Sequence, residues 1–160
     1  MPTRQTLTKE RQQKITPEQS LNILIEGNKR FTQNISLNRN LLEQAKETEQ
    51  GQYPFGVILS CIDSRASSAI IFDQGIGDIF SIKIAGNVVN EDILGSMEFS
   101  CKVAGAKVIV VLGHTHCGAV KGACDDVEMG NLTCLLDKIK PSIKDLKKET
   151  IKVIKNIGPK

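Results

Sequence analysis

The chain has 160 residues, enough for one domain around one core. With 40% apolar and 24% charged residues its composition excludes wholesale disorder. A net charge of +3, one tyrosine and no tryptophan argue against a nucleic-acid surface built on base stacking.

No run approaches the roughly 20 apolar residues that cross a membrane, and Met1–Lys14 is polar with no apolar signal segment. A cytoplasmic protein, with neither nucleic acid nor membrane as partner, is the expectation. Five cysteines, an odd number in such a chain, read as thiols or metal ligands, not as a disulfide framework.

Residues 1–15 form a polar leader or arm, and 16–160 a single domain. Thr16-Pro17-Glu18-Gln19 opens a helix: Thr16 caps, Pro17 suits the first helical position, and Gln19 completes a capping box. Leu21, Leu24, Ile25 and Phe31 lie near one face of it. Residues 40–50 are polar and helical, ending at Gly51. Phe55–Ser60 is continuously apolar, as in a strand covered on both faces. Ile79–Ala85 is a second strand. A helix over Glu91–Ala104 turns Ile93, Leu94, Met97, Phe99 and Cys101 inward. Lys107–Gly113 is the third and clearest buried strand. Beyond Cys117 the pattern is helical, broken near Gly130 and Pro141, with an apolar stripe at Ile143, Leu146, Ile151 and Ile154. Strands alternating with helices predict an α/β fold whose central sheet is mainly parallel and flanked by helices.

Two of these strands run straight into metal-binding side chains, the first into Cys61-Ile62-Asp63-Ser64-Arg65 and the third into His114-Thr115-His116-Cys117. Ligands of open α/β sheets collect beyond the carboxyl ends of the strands, so parallel neighbours would bring Cys61, His114 and Cys117 together. Two thiolates and an imidazole form a zinc set with the fourth position open, the arrangement of a catalytic site. The thiolates offset the charge of the metal, so a nearby group must help orient the attacking hydroxide. Asp63 is that helper, and Arg65 can hold it with paired hydrogen bonds. Released from Arg65, Asp63 could swing in as a fourth ligand and close the site. His116 reads as a solvated neighbour, Cys101 as helix core, and Cys124 and Cys134 as spectators.

The paired segments Cys61–Arg65 and His114–Gly118 resemble the signatures of the β-carbonic anhydrases. Glu26-Gly27-Asn28-Lys29-Arg30-Phe31, Gly75–Phe80, Ala85-Gly86-Asn87 and His114 through Ala119 are similar too, so the likeness runs over about 16–140. The resemblance implies a fold with an N-terminal helical arm and a Zn2+ cofactor. It also implies reversible hydration of carbon dioxide to bicarbonate and a proton by a zinc-bound hydroxide, in a homodimer or larger homo-oligomer. Gln52, Phe80 and Gly118 are then substrate-side residues, with Gln52 and Phe80 serving the zinc of a second copy. Phe99 stands where the plant-like branch often has tyrosine, and Lys83 replaces a common arginine. The family's usual last strand, with its Gly-Ala-x-Tyr-like segment, is expected to be missing. Two alternatives follow: hydrolysis of carbonyl sulfide or carbon disulfide, and a truncated, non-catalytic zinc-binding or interaction module.

Overall fold

The computed structural model describes residues 5–146. Strands β1 (Gly56–Ser60), β2 (Ile79–Lys83) and β3 (Val108–Leu112) form a parallel sheet in the order β2-β1-β3. Helices α1 (Lys9–Lys14), α2 (Pro17–Thr32) and α3 (Leu41–Glu47) precede it. Helix α4 (Ser68–Ile71) links β1 to β2, and α5 (Glu91–Glu98) with a π-helical turn (Phe99–Val103) links β2 to β3. Helices α6 (Gly118–Cys124), α7 (Gly130–Asp137) and α8 (Lys140–Leu146) follow. The predicted α/β class is the one observed.

Central placement explains the unbroken apolar run of β1: all five of its residues are buried. On one face Ile58 joins Leu24, Phe55, Phe72 and Leu112 in the main core. A second core of Val88, Ala123, Leu136 and Ile139 lies among α6, α7 and α8, and Ile143 packs against it. Ile151 and Ile154 of the predicted stripe lie outside the described residues.

The capping box forms as expected, with Gln19 N donating to Thr16 Oγ1 and Thr16 N to Gln19 Oε1. The buried face of α2, however, is Ser20, Leu24, Gly27 and Asn28, while Leu21 and Ile25 are exposed. Gly27 is the reason: a Cβ there would lie 1.8 Å from the Phe72 carbonyl oxygen, so the α2 backbone sits directly against the end of α4. The leader also carries order. Thr8 caps α1, and the buried Gln12 donates through Nε2 to the carbonyls of Pro54 and Ala104, both at 2.7 Å.

Three other expectations need correction. β3 is an edge strand with alternating burial, leaving Ile109 48% and Val111 63% exposed on a face that nothing covers among the described residues. The predicted helix 91–104 is α-helical only to Glu98, and Ala104 N then bonds Phe99 O across five residues. Ile93, Met97 and Ser100, at helical spacing, make its inward face, with Met97 and Ser100 buried, so Leu94 and Phe99 lie off that face and are exposed. β2 ends at Lys83, short of Ala85, because Gly86 (φ 66) and Asn87 (φ 55) turn the chain through the left-handed region.

Candidate metal centre

The register of the sheet builds the site. Ser60 of β1 is paired with Lys83 of β2 and with Leu112 of β3, so the three carboxyl ends are level. Cys61 is one residue beyond that line and His114 two. His116, at φ 54, then reverses the chain, and Cys117 follows as the N-cap of α6.

The donor atoms of Cys61, His114 and Cys117 all lie within 4.8 Å of one another. The two Sγ atoms are 3.9 Å apart, and all five cysteines are free thiols. Two Zn–S bonds of about 2.3 Å at a tetrahedral angle would separate the sulfurs by about 3.8 Å, so the pair fits zinc with almost no movement. The His114 ring is oriented by its Nδ1 atom, 2.9 Å from the Thr115 carbonyl. That contact leaves Nε2 as the atom with a free lone pair. It is buried with no hydrogen-bond partner, as a ligand atom awaiting a metal would be.

Cys61 is buried, which pushes its thiol pKa up. The backbone N–H groups of Gly86 and Asp63, with the side chains of His114 and Cys117, outweigh burial and bring it down to about 7. Thiolate is the ligand form.

Asp63 sits in the arrangement held by Arg65. Oδ1 accepts from the Arg65 backbone N–H at 2.8 Å and from Nε at 3.0 Å, and Oδ2 accepts from Nη2 at 2.8 Å. These bonds from the Arg65 side chain and backbone keep the carboxyl well below the usual carboxylate range. Asp63 Oδ2 is also 3.7 Å from His114 Nδ1. An ionised oxygen acceptor therefore stands beside the triad.

A cavity of about 350 Å³ opens at the centre. Cys61, Asp63, His114 and Gly118 line one side, and Ala119, Val127, Leu132 and Leu136 supply an apolar wall. Sequence reasoning missed this wall, whose only signal was the apolar spacing beyond Cys117. Gln52 and Phe80 do not line the cavity. Gln52 lies on the exposed approach to β1, and Phe80 lines a separate groove of about 600 Å³ with Glu91, Ser96 and Phe99. His116, Cys124 and Cys134 are exposed, and Cys101 is half-buried.

A level parallel sheet whose two adjacent strands end in a Cys2His triad with a free side defines an α/β metalloprotein with an open coordination position. A family model described as carbonic anhydrase matches residues 56–157. The carbonic anhydrase of Mycolicibacterium smegmatis is 36% identical over 126 residues, which cover 75% of this chain and 61% of that one. Carbonic anhydrase 2 of Mycobacterium tuberculosis is 42% identical over 98 residues, covering 58% of this chain and 47% of its own. A tetrameric β-carbonic anhydrase from Sordaria macrospora superposes with a TM-score of 0.60 at 26% identity, over 83% of this chain and 68% of that chain. The chain belongs to the β-class carbonic anhydrase family. It spans roughly half to three-fifths of the length of the two mycobacterial relatives. No helix among the described residues is long and apolar enough to cross a membrane.

Proposed function

We propose that the chain holds zinc on Cys61, His114 and Cys117 and catalyses the reversible hydration of carbon dioxide to bicarbonate and a proton. The observation that carries this reading is the 3.9 Å spacing of two sulfurs beside an unpartnered imidazole nitrogen, with an Arg65-held carboxylate next to them.

When bound, zinc supplies an acidified water as nucleophile. The remaining work falls to the chain. Asp63, kept ionised by Arg65, accepts a hydrogen bond from the attacking water and fixes its direction. The apolar wall of Ala119, Val127, Leu132 and Leu136 accommodates a small non-polar molecule, and Gly118 offers its backbone N–H to a substrate oxygen. Release of Asp63 from Arg65 would let the carboxylate take the open position and shut the site.

Gln52 and Phe80 are assigned to the site of a second copy, in a homodimer or larger homo-oligomer. Their placement away from the cavity of their own chain is consistent with that role. Residues 1–15 serve as an arm and 16–160 as one domain, and the protein works in the cytoplasm.

Stopped-flow carbon dioxide hydration, run with zinc content and solution mass, tests the reading. The expected result is one zinc per chain, a mass above the 17.5 kDa monomer, and activity that rises from neutral to alkaline pH. Cys61→Ala should abolish both zinc and turnover. Full zinc occupancy in Cys61→Ala would reject the ligand set, and bound zinc without hydration at any pH would leave a non-catalytic zinc module.

A further inference from the structure

The stretch from Lys83 to Asn87 contributes no donor to the triad, yet it touches the ends of both strands that do. Lys83 closes β2 level with Ser60. Its ammonium donates to the carbonyls of Asp63 at 3.1 Å and Ala66 at 3.3 Å. Ala66 N already donates to Asp63 O at 3.1 Å. Lys83 thus caps, from the neighbouring strand, the turn that carries Asp63 and Arg65.

Ile84 N continues the β1 pairing by donating to Ser60 O at 3.0 Å. The Gly86 backbone N–H lies close enough to Cys61 to favour its thiolate. Asn87 Nδ2 donates to Leu112 O at 2.7 Å, two residues before His114. Gly86 and Asn87 are consecutive left-handed residues, at φ 66 and 55, and they swing the chain from the end of β1 to the end of β3. Asparagine tolerates that conformation better than other side chains that could reach a carbonyl.

We propose that Lys83 and Asn87 are positioning residues: Asn87 sets His114 at its distance from Cys61, and Lys83 sets the turn that aims Asp63. The inference rests on the reading of Cys61, His114 and Cys117 as a zinc site. Hydrogen bonds behind metal ligands orient them, and their removal costs about 10–100-fold in metal affinity or activity. A merely structural role would lower the melting temperature and leave affinity and spectrum unchanged.

The test uses the full chain and two readouts besides activity: zinc affinity by competition with a chromophoric chelator, and the visible spectrum of the cobalt(II)-loaded protein. Asn87→Gly keeps the left-handed turn and removes the donor. Lys83→Met keeps the apolar stem and removes the ammonium, and Lys83→Arg restores donors. Asn87→Gly should bind zinc about 10–100-fold more weakly with a native circular dichroism spectrum. Lys83→Met should keep stoichiometric zinc, alter the cobalt spectrum and lower turnover about 10-fold or more, and Lys83→Arg should reverse both changes. Should Asn87→Gly not fold, the Lys83 pair decides alone. Wild-type affinity in Asn87→Gly, or a wild-type cobalt spectrum in Lys83→Met, overturns the inference while the zinc reading stands. A wild-type cobalt spectrum that Cys61→Ala leaves unchanged overturns both.

Discussion

Gly86→Ala tests whether space, as well as hydrogen bonding, fixes the turn beside Cys61. At φ 66 a Cβ would stand 2.5 Å from Ile139 Cδ1 and 3.2 Å from Ala119 Cβ. The left-handed conformation costs an L-residue about 1–2 kcal/mol, and overpacking a filled core adds about 1–3 kcal/mol. The closer atom is the tip of a rotatable side chain and can yield, whereas Ala119 is held in α6, so the lower half of the overpacking range applies. The sum is about 2–4 kcal/mol of lost stability. Ile139→Val removes Cδ1 and alone costs about 0.5–1.5 kcal/mol. Combined with Gly86→Ala it also removes the 2.5 Å contact, so the two losses should fall short of additivity by about 1 kcal/mol. Urea unfolding of the reduced, metal-free chain measures all four proteins through their midpoints at constant m. A Gly86→Ala protein within about 0.5 kcal/mol of wild type, or a double variant whose losses add in full, would refute the steric account.

Three more predictions rest on single features. Burial opposes the ionisation of Asp73, but hydrogen bonds from Arg39, Arg30 and the Leu37 N–H outweigh it, so its folded pKa lies below the ordinary 3.8. A depressed carboxyl pKa stabilises the fold fully above the unfolded value, and that stability drains away as pH falls below 3.8 through the folded one. Asp73→Asn leaves two largely buried guanidinium groups without their counter-charge, so urea midpoints should show a loss on the order of 3–5 kcal/mol at pH 7 and a shallower acid limb. In the metal-free chain, thiolate absorbance from Cys61, taken as wild type minus Cys61→Ala, should appear around pH 7 as pH rises, ahead of an ordinary thiol at 9.0; a first step above pH 9 would contradict the hydrogen bonding described. Gly27→Ala drives a methyl to within 1.8 Å of backbone oxygen that cannot rotate away, so a loss of about 3 kcal/mol or more is expected in the same unfolding assay.

The elements legible in the sequence are those whose causes are local. The Thr16–Gln19 capping box forms from a reciprocal pair three residues apart, and β1 reads as buried because it is buried on both sides. β3 shows the limit of that reasoning. Val108–Leu112 is as apolar as β1, yet Ile109 and Val111 face outward, because an apolar run reports what a strand could be covered by and not its place in the sheet. Phe99 shows a related limit: the inward face at helical spacing is Ile93, Met97 and Ser100, and a small polar serine on it draws less notice in the sequence than the large apolar Phe99 beside it.

The candidate metal ligands were legible because thiol and imidazole chemistry is scarce and specific, and the strands beneath them supplied a direction. What joins them was not. Cys61 and His114 meet because Ser60 pairs level with both Lys83 and Leu112, and a register is a relation between strands that neither strand contains. The same register brings the Lys83 ammonium under the Asp63 turn. A slip of one residue along β2 would turn Lys83 to the opposite face and withdraw its bonds to Asp63 and Ala66, with every ligand still in the sequence. The chemistry of the centre therefore depends as much on strand pairing as on its three donors.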